Sequence, residues 1–451
     1  MTERQAMSEA GDSLAAHEAS LPTGNWSAPA SRCSDTFPPI RTPQTSAEDA
    51  SQPSRDHSQR LAGDLFPHAD PTAAGFGQSD ASAAADARYD SDAARRNGAG
   101  LRPEVPGGTS TGAVSPLCNH RRAMSPIFRR SQHEVLFYRY PKNPILTAAD
   151  WPYPINTVFN AGATLLPDGT TLLLCRVEDR RGLSHFCVAR SRNGVDGWEI
   201  DPQPTLMPDP DNFPEELWGI EDPRITYVPE LNKYAVVYTA YSAGGPCVSL
   251  ALTEDFRHFE RFGDIMPPED KDAALFPRRI GHYWALIHRP VSNIGAHIWI
   301  SYSPDLRHWG SHKLILPARR GAWWDANKIG LSPPPIETPE GWLIIYHGVK
   351  RTAAGCLYRL GLALFDLQTP ERCLLRGDSW VFGPEEEYER YGDVDNVVFP
   401  CGYTIAPDGD TINLYYGGAD TCIALATGSI RALLDWLHRN GRPEPVHRWE
   451  A

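Results

Sequence analysis

Five stretches of the chain repeat one order of apolar and polar positions: a polar residue, an apolar strand, a turn of Pro, Gly or Asp, and a very apolar strand ending in polar groups. They read "NAGATLLPDGTTLLLCRVED", "DPRITYVPELNKYAVVYTAY", "DAALFPRRIGHYWALIHRP", "KIGLSPPPIETPEGWLIIYHGV" and "NVVFPCGYTIAPDGDTINLYYGGAD". A third strand follows each, as in "SHFCVARSRNGVDGW", "CVSLALTEDFRHF" and "AHIWISYSPDLRHW", often closing on an acidic-aromatic turn. The units start at Asn160, Asp222, Asp272, Lys328 and Asn396, a loose period of about 59 residues. Short strands bounded by turn signals, with no helical periodicity until the residues after Ser429, predict an all-β repeat closed by a short C-terminal helix. A five-bladed β-propeller accommodates five such units. A β-sandwich is the alternative that strand spacing alone does not separate.

A propeller turns sequence period into spatial convergence, because equivalent positions of successive blades meet around one axis. The strand starts supply Asn160, Asp222, the Lys271-Asp272 pair, Lys328 and Asn396; the ends of the second strands supply Arg176, Tyr238, His288-Arg289, His347 and Asp420. Charged groups attached to runs as apolar as "LLLC" and "WLIIY" belong at a cavity and not in a packed wall. The expected cavity holds few carboxylates and many cations. Glycosidases usually flank the scissile bond with two carboxylates. Here Asp222 is the best single acid, while Arg176, Arg289, Lys328 and His347 suit an oxyanion. A phosphate nucleophile is already anionic and needs no protein base, so one acid suffices.

Each of these residues also has a plain structural reading. An Asp before Pro is commonly a turn former, the arginines of "RVEDRRG" are of a kind that forms structural ion pairs, and Glu221 is expected to support the fold, with Arg224 pairing to orient the acid. Trp323-Trp324 serves either as a sugar-stacking platform or as core packing. The turns "SRNGVDGW" and "SPDLRHW" recur from blade to blade and are read as structural.

Composition divides the chain near residue 125. Residues 1–125, rich in Ala, Ser, Asp, Gly and Pro, are expected to be a disordered extension, and 126–451 to be the propeller; Met124 is an alternative start. A net charge of −13 argues against a nucleic acid partner. No run approaches the length of a membrane span and the first residues lack the apolar core of a secretory signal, so the default location is cytoplasmic. Nine cysteines show no metal-site spacing and are expected to be reduced, mostly buried thiols. No metal or organic cofactor is expected.

The run "FNAGATLLPDGTTLLLCRVEDRRGLSHFCVARS", followed in order by "GIEDPRIT", "ALFP" and "IHRP", "NKIG", "YHGV" and "LYYGGAD", resembles glycoside hydrolase family 130, mannosyl phosphorylases and related β-mannosidases, over about residues 135 to 435. The resemblance implies a five-bladed propeller that cleaves a non-reducing-end β-mannoside with inorganic phosphate as co-substrate, inverting to α-mannose 1-phosphate. Carried onto matching positions, it makes Asp222 the proton donor, acting through the mannosyl 3-hydroxyl. Asn160 and Asp420 match sugar-holding positions. Arg176, Arg181, Arg289, Lys328 and His347 match positions that hold or border phosphate, with Lys271 aligned nearby and Tyr358 close to the same subsite. The implied partners are a small carbohydrate and phosphate, with no nucleic acid and no membrane; homo-oligomerisation is left open. A β-mannosidase using water would need a further carboxylate, Glu178 or Asp179, as base. A non-catalytic sugar-binding propeller is the third reading. Other five-bladed glycosidases carry an acidic residue in the first blade, where this chain has Asn160. Linkage and acceptor fall to variable loops such as "SAGGP" and "PARRGAWWD".

Overall fold

Successive side chains of a strand point to opposite faces, so the unbroken apolar runs of the second strands require cover on both sides. The computed structural model, which describes residues 134–445, supplies that cover by stacking five antiparallel meanders around an axis. Blade I comprises Thr157–Leu165, Thr171–Glu178, Ser184–Ser191 and Glu199–Ile200; blade II comprises Ile220–Val228, Lys233–Ser242, Gly245–Thr253 and Glu260–Met266. Blade III is built from Asp270–Leu275, Trp284–Ser292, Ile298–Ser303 and Gly310–Leu316. In blade IV the inner strand is split into Lys328–Leu331 and Ile336–Thr338, followed by Gly341–Thr352, Gly355–Phe365 and Cys373–Gly377. Blade V has Val398–Ile405, Thr411–Gly418 and Cys422–Ser429. Blades III and IV join into one sheet through Gly295–Ala296, where Ala296 pairs in parallel with Lys328.

The apolar clusters decide between propeller and sandwich. Leu172 and Leu174 pack with Val236 and Tyr238 between blades I and II, while the intervening Leu173, with Cys175 and Val177, packs against Tyr415, Ile423 and Leu425 of blade V. Val237 and Leu250 meet Leu275 and Leu286 between blades II and III, and Ile287 and Ile300 meet Ile329 and Ile344 between III and IV. Leu343 and Leu362 meet Leu414 and Val398 between IV and V. Each cleft has its own core, and the cleft between blades V and I completes the ring. A sandwich has no such cyclic series.

Closure of that ring lies outside the five-unit plan. The outer strand of blade V is Phe137–Arg139, from the other end of the described chain, pairing Phe137 with Gly428 and Arg139 with Ala426. Arg139 is held further by Glu389, at 2.7 Å, and by Glu385. The C-terminal helix, Ile430–Asn440, starts at Ser429, whose Oγ accepts the Ala432 N–H. It buries Ile430, Leu433, Leu434, Trp436 and Leu437, one helical face, against blades IV and V.

The recurring turns are structural, as read. Asp255 Oδ1 accepts the N–H groups of Arg257 and His258, Asp305 does the same for Arg307 and His308, and Phe256 and Leu306 take positive φ between them. The described cysteines are free thiols, buried except for the half-buried Cys356. The expectation of disorder over 1–125 and the alternative start at Met124 lie outside the described residues.

Candidate active site

The inner strands of blades I, II and III break register at one equivalent place, between Phe159 and Gly162, Glu221 and Arg224, and Lys271 and Ala274. At each break stands a residue with left-handed backbone: Asn160 (φ 46°), Asp222 (φ 51°) and Asp272 (φ 54°). Asn and Asp tolerate that conformation better than other residues with a Cβ. A bulge re-aims the side chain it carries, so the repeat delivers three polar groups to the interior at one level. Asp420, on the second hairpin of blade V, also has positive φ (55°).

One side of the site is organised by Arg176. Its Nη1 lies 3.0 Å from Asp222 Oδ1, and its Nη2 lies 3.0 Å from Glu221 Oε1 and 3.7 Å from Glu178 Oε2. Its Nε donates to Ser184 Oγ, and the guanidinium lies 4.6 Å from the centre of the Phe159 ring. Asn160 Nδ2 donates to the same Asp222 Oδ1 at 2.9 Å, while Asn160 Oδ1 is buried with no partner among the described residues. Asp420 joins this group. Burial pushes its carboxyl up to about 7; Arg176 pulls the other way, and the charges of Asp222, Glu221 and Glu178 add to the rise. The expectation of few carboxylates is therefore corrected. Glu178, Glu221, Asp222 and Asp420 gather around Arg176, because the acid's neighbours in sequence and the end of the adjacent blade's strand reach the same guanidinium.

The other side carries the cations. Arg289 Nε donates to Asp272 Oδ2 at 2.7 Å, and Lys271 lies directly across the strand pair from Arg289. Lys328 Nζ stands 5.4 Å from the centre of the Tyr358 ring, and the His347 ring lies 6.0 Å from Tyr358 and 4.7 Å from Phe399. Burial raises the Tyr358 hydroxyl's pKa, with Lys271 and Arg289 opposing. His347 Nε2 is 3.4 Å from Asp272 Oδ2, and its Nδ1 is 3.3 Å from Ser332 Oγ. Burial would keep Asp272 neutral, but Arg289, His347 and Arg224 outweigh it and hold the carboxyl well below the usual range. Burial lowers the His347 pKa; Arg289 and Arg224 add to this and Asp272 opposes it, leaving the imidazole neutral at physiological pH.

Arg224 does not pair with the Asp222 carboxylate, correcting its expected role. Its Nη1 donates to the Asp222 carbonyl, its Nε and Nη2 donate to the carbonyls of Ser332 and Leu331, and Nη2 lies 3.6 Å from Asp272. It ties the inner strands of blades II, III and IV together beneath the site.

Several expected residues stand elsewhere. Arg181, its side chain 73% exposed, pairs with Asp179 in the turn that follows the second strand of blade I, so this turn closes on itself. Tyr238 is buried between blades and donates to Glu216. His288, on the opposite face of its strand from Arg289, bonds Asp270 and Ser301. Asn396 meets Tyr358 through its carbonyl alone. Of the tryptophan pair, Trp324 is buried against Tyr346, as core packing, and Trp323 is exposed beneath the Arg319 guanidinium. Asp272, to which the sequence pattern assigns no role of its own, holds the same repeat slot as Asp222. Among the described residues no group of three His, Cys, Asp or Glu is placed to hold a metal.

A family model described as beta-1,4-mannooligosaccharide phosphorylase matches residues 121–439. The chain belongs to glycoside hydrolase family 130. A Beta-1,4-mannooligosaccharide phosphorylase of Ruminococcus albus is 30% identical over 311 residues, covering 67% of this chain and 91% of the relative. A Beta-1,2-mannobiose phosphorylase of Listeria innocua is 40% identical over 259 residues, 56% of this chain and 69% of the relative. The solved structure of a Listeria innocua Beta-1,2-mannobiose phosphorylase with beta-1,2-mannobiose superposes with a TM-score of 0.62 at 31% identity, covering 67% of this chain and 99% of that one. The interior of this ring has a carboxylate-rich side gathered on Arg176, on blades I, II and V, and a cation-rich side around Asp272, on blades III and IV.

Proposed function

We propose that this protein is an inverting phosphorylase of β-mannosides that releases α-mannose 1-phosphate. The observation that carries the reading is the division of one site into two sides of opposite character. Inversion requires the proton donor and the nucleophile on opposite faces of the sugar. Asp222, held by Arg176 and Asn160, serves the departing oxygen through the mannosyl 3-hydroxyl. Asn160 Oδ1 and Asp420 are groups for sugar hydroxyls, the first being a buried acceptor with no protein partner among the described residues. Arg289, Lys328, Lys271 and His347, with Tyr358, clamp phosphate as it attacks the anomeric carbon. The glycosidic C–O bond breaks, the proton goes to the leaving sugar, and the new C–O bond to phosphate forms on the opposite face. Arg176 belongs to the acid's side in this reading, as a positioning residue, and Arg181 stands in its turn.

Hydrolysis is supported less well. An inverting hydrolase needs a base across the sugar from its acid, whereas Glu178 lies beside the acid on the same arginine, and Asp179 is engaged by Arg181. A cytoplasmic setting suits a phosphorolytic product and the free thiols. Among the described residues no helix is long and apolar enough to cross a membrane.

The test is incubation with β-1,2- and β-1,4-mannobiose, with and without inorganic phosphate. Mannose 1-phosphate formed only with phosphate is the expected result. Free mannose released at the same rate in its absence overturns the reading.

A further inference from the structure

The ladder of blade II runs beyond Ile220 to Trp218, four residues before Asp222. Trp218 N–H donates to the Tyr241 carbonyl at 2.8 Å, and Tyr241 N–H donates to the Gly219 carbonyl at 3.1 Å. The two rings meet edge to face, with centres 5.3 Å apart at 68°. Trp218 is 43% exposed. A single exposed aromatic side chain needs no explanation; one packed on a second ring, on a backbone paired to the neighbouring strand and followed by a glycine set against blade I, does. Gly219 (φ 114°) approaches blade I so closely that a Cβ there would lie 2.8 Å from the Ser184 nitrogen. Ser184 Oγ is the acceptor that fixes Arg176 Nε, and Arg176 in turn holds Asp222. The ledge is thus rigidly tied to the acid's side of the site, four residues upstream of the acid itself.

We propose that Trp218 and Tyr241 form the platform on which the leaving sugar sits, the apolar C–H face of a pyranose lying on the indole. This rests on the phosphorylase reading. The leaving group departs on the side of the proton donor, and the ledge is an exposed aromatic surface joined to that side through Gly219 and Ser184, while the cations of blades III and IV claim the opposite one. A rigid aromatic body offers contact area with little conformational entropy to lose.

The reaction run in reverse, from α-mannose 1-phosphate and an acceptor sugar, separates the two subsites. Trp218→Ala is expected to raise the acceptor KM about tenfold, and Tyr241→Ala by a smaller factor, with the KM for α-mannose 1-phosphate within about twofold of wild type. Trp218→Phe, which keeps a ring, is expected to restore the acceptor KM to within about threefold of wild type. An unchanged acceptor KM in Trp218→Ala, or an equal rise for both substrates, overturns the assignment. If the wild-type protein makes no mannose 1-phosphate, the phosphorylase reading fails by itself, and calorimetric titration with β-mannobiose decides the ledge: weaker binding by Trp218→Ala supports it, and equal binding rejects it.

Discussion

A left-handed backbone at the bulge of an inner strand limits which residue can stand where we propose the acid, at Asp222. Asn and Asp suit that conformation through their short polar side chains, whereas a longer carboxylate does not. Asp222→Asn is therefore expected to keep the fold and the bulge while lowering turnover at least about 1,000-fold. Asp222→Glu, although it retains a carboxylate, is expected to lose comparable activity and about 1–2 kcal/mol of stability, measured by denaturant unfolding. Asp222→Glu with wild-type kinetics would show that the bulge does not set the acid's position. Asp420 has a pH signature. Its carboxyl is raised from 3.8 to about 7, so between those values the folded protein binds more protons than the unfolded chain, and stability falls as pH rises through that window. Asp420→Asn removes this contribution, and its melting temperature relative to wild type is expected to rise from pH 4 to about pH 7 and then level off. Asp222 and Asn160 were legible because they open successive repeats. Asp272, in the same slot, was obscured by the expectation of few carboxylates in the cavity; it is ionised because Arg289 and Arg224, both buried, reach it.

At the scale of strands, legibility followed burial. The second strands announced themselves because both faces are covered, with Leu173 and Leu174 entering different clefts. The outer strands, such as Glu199–Ile200 and Gly310–Leu316, carry a mixed half-exposed pattern, and the plan of three strands per unit passed over them. Contacts between the inner strands of different blades are also reported by no local pattern. Arg224 is the clearest example, since its partners Leu331 and Ser332 lie more than 100 positions along the chain. Replacing a buried, fully engaged cation leaves its acceptors unpaired. Arg224→Met is expected to cost about 3–5 kcal/mol in unfolding free energy and to weaken activity by displacing Asp222 and Asp272 together. If its stability stays within about 1 kcal/mol of wild type, the inner strands hold their places without it.

For the whole molecule, the count of blades was readable from the period, and the fastening of the ring was not. "EVLFYRY" is an apolar run standing alone ahead of the first repeat, and nothing near it in sequence says that its partner is Cys422–Ser429. A chain beginning at residue 121 keeps this strand, and one beginning at residue 142 loses it together with the Arg139 pairs. The longer form is expected to unfold in one cooperative transition. The shorter is expected to melt at least about 10 °C lower, with blade V the first to lose amide protection in hydrogen exchange.

The same fastening sets a timetable for biosynthesis. Asn143 bonds Leu425 across 282 positions, so a segment made early must remain unpaired until the last blade leaves the ribosome. At about 5–20 residues per second that wait is roughly 15–60 seconds. Blades I to IV can stack on one another as they emerge, but the cleft between blades V and I stays open throughout, its apolar lining of Leu173, Val177 and Trp151 uncovered. The nascent chain thus carries this uncovered apolar face from the emergence of blade I until blade V docks, and a slow stretch of translation before blade V would prolong that exposure.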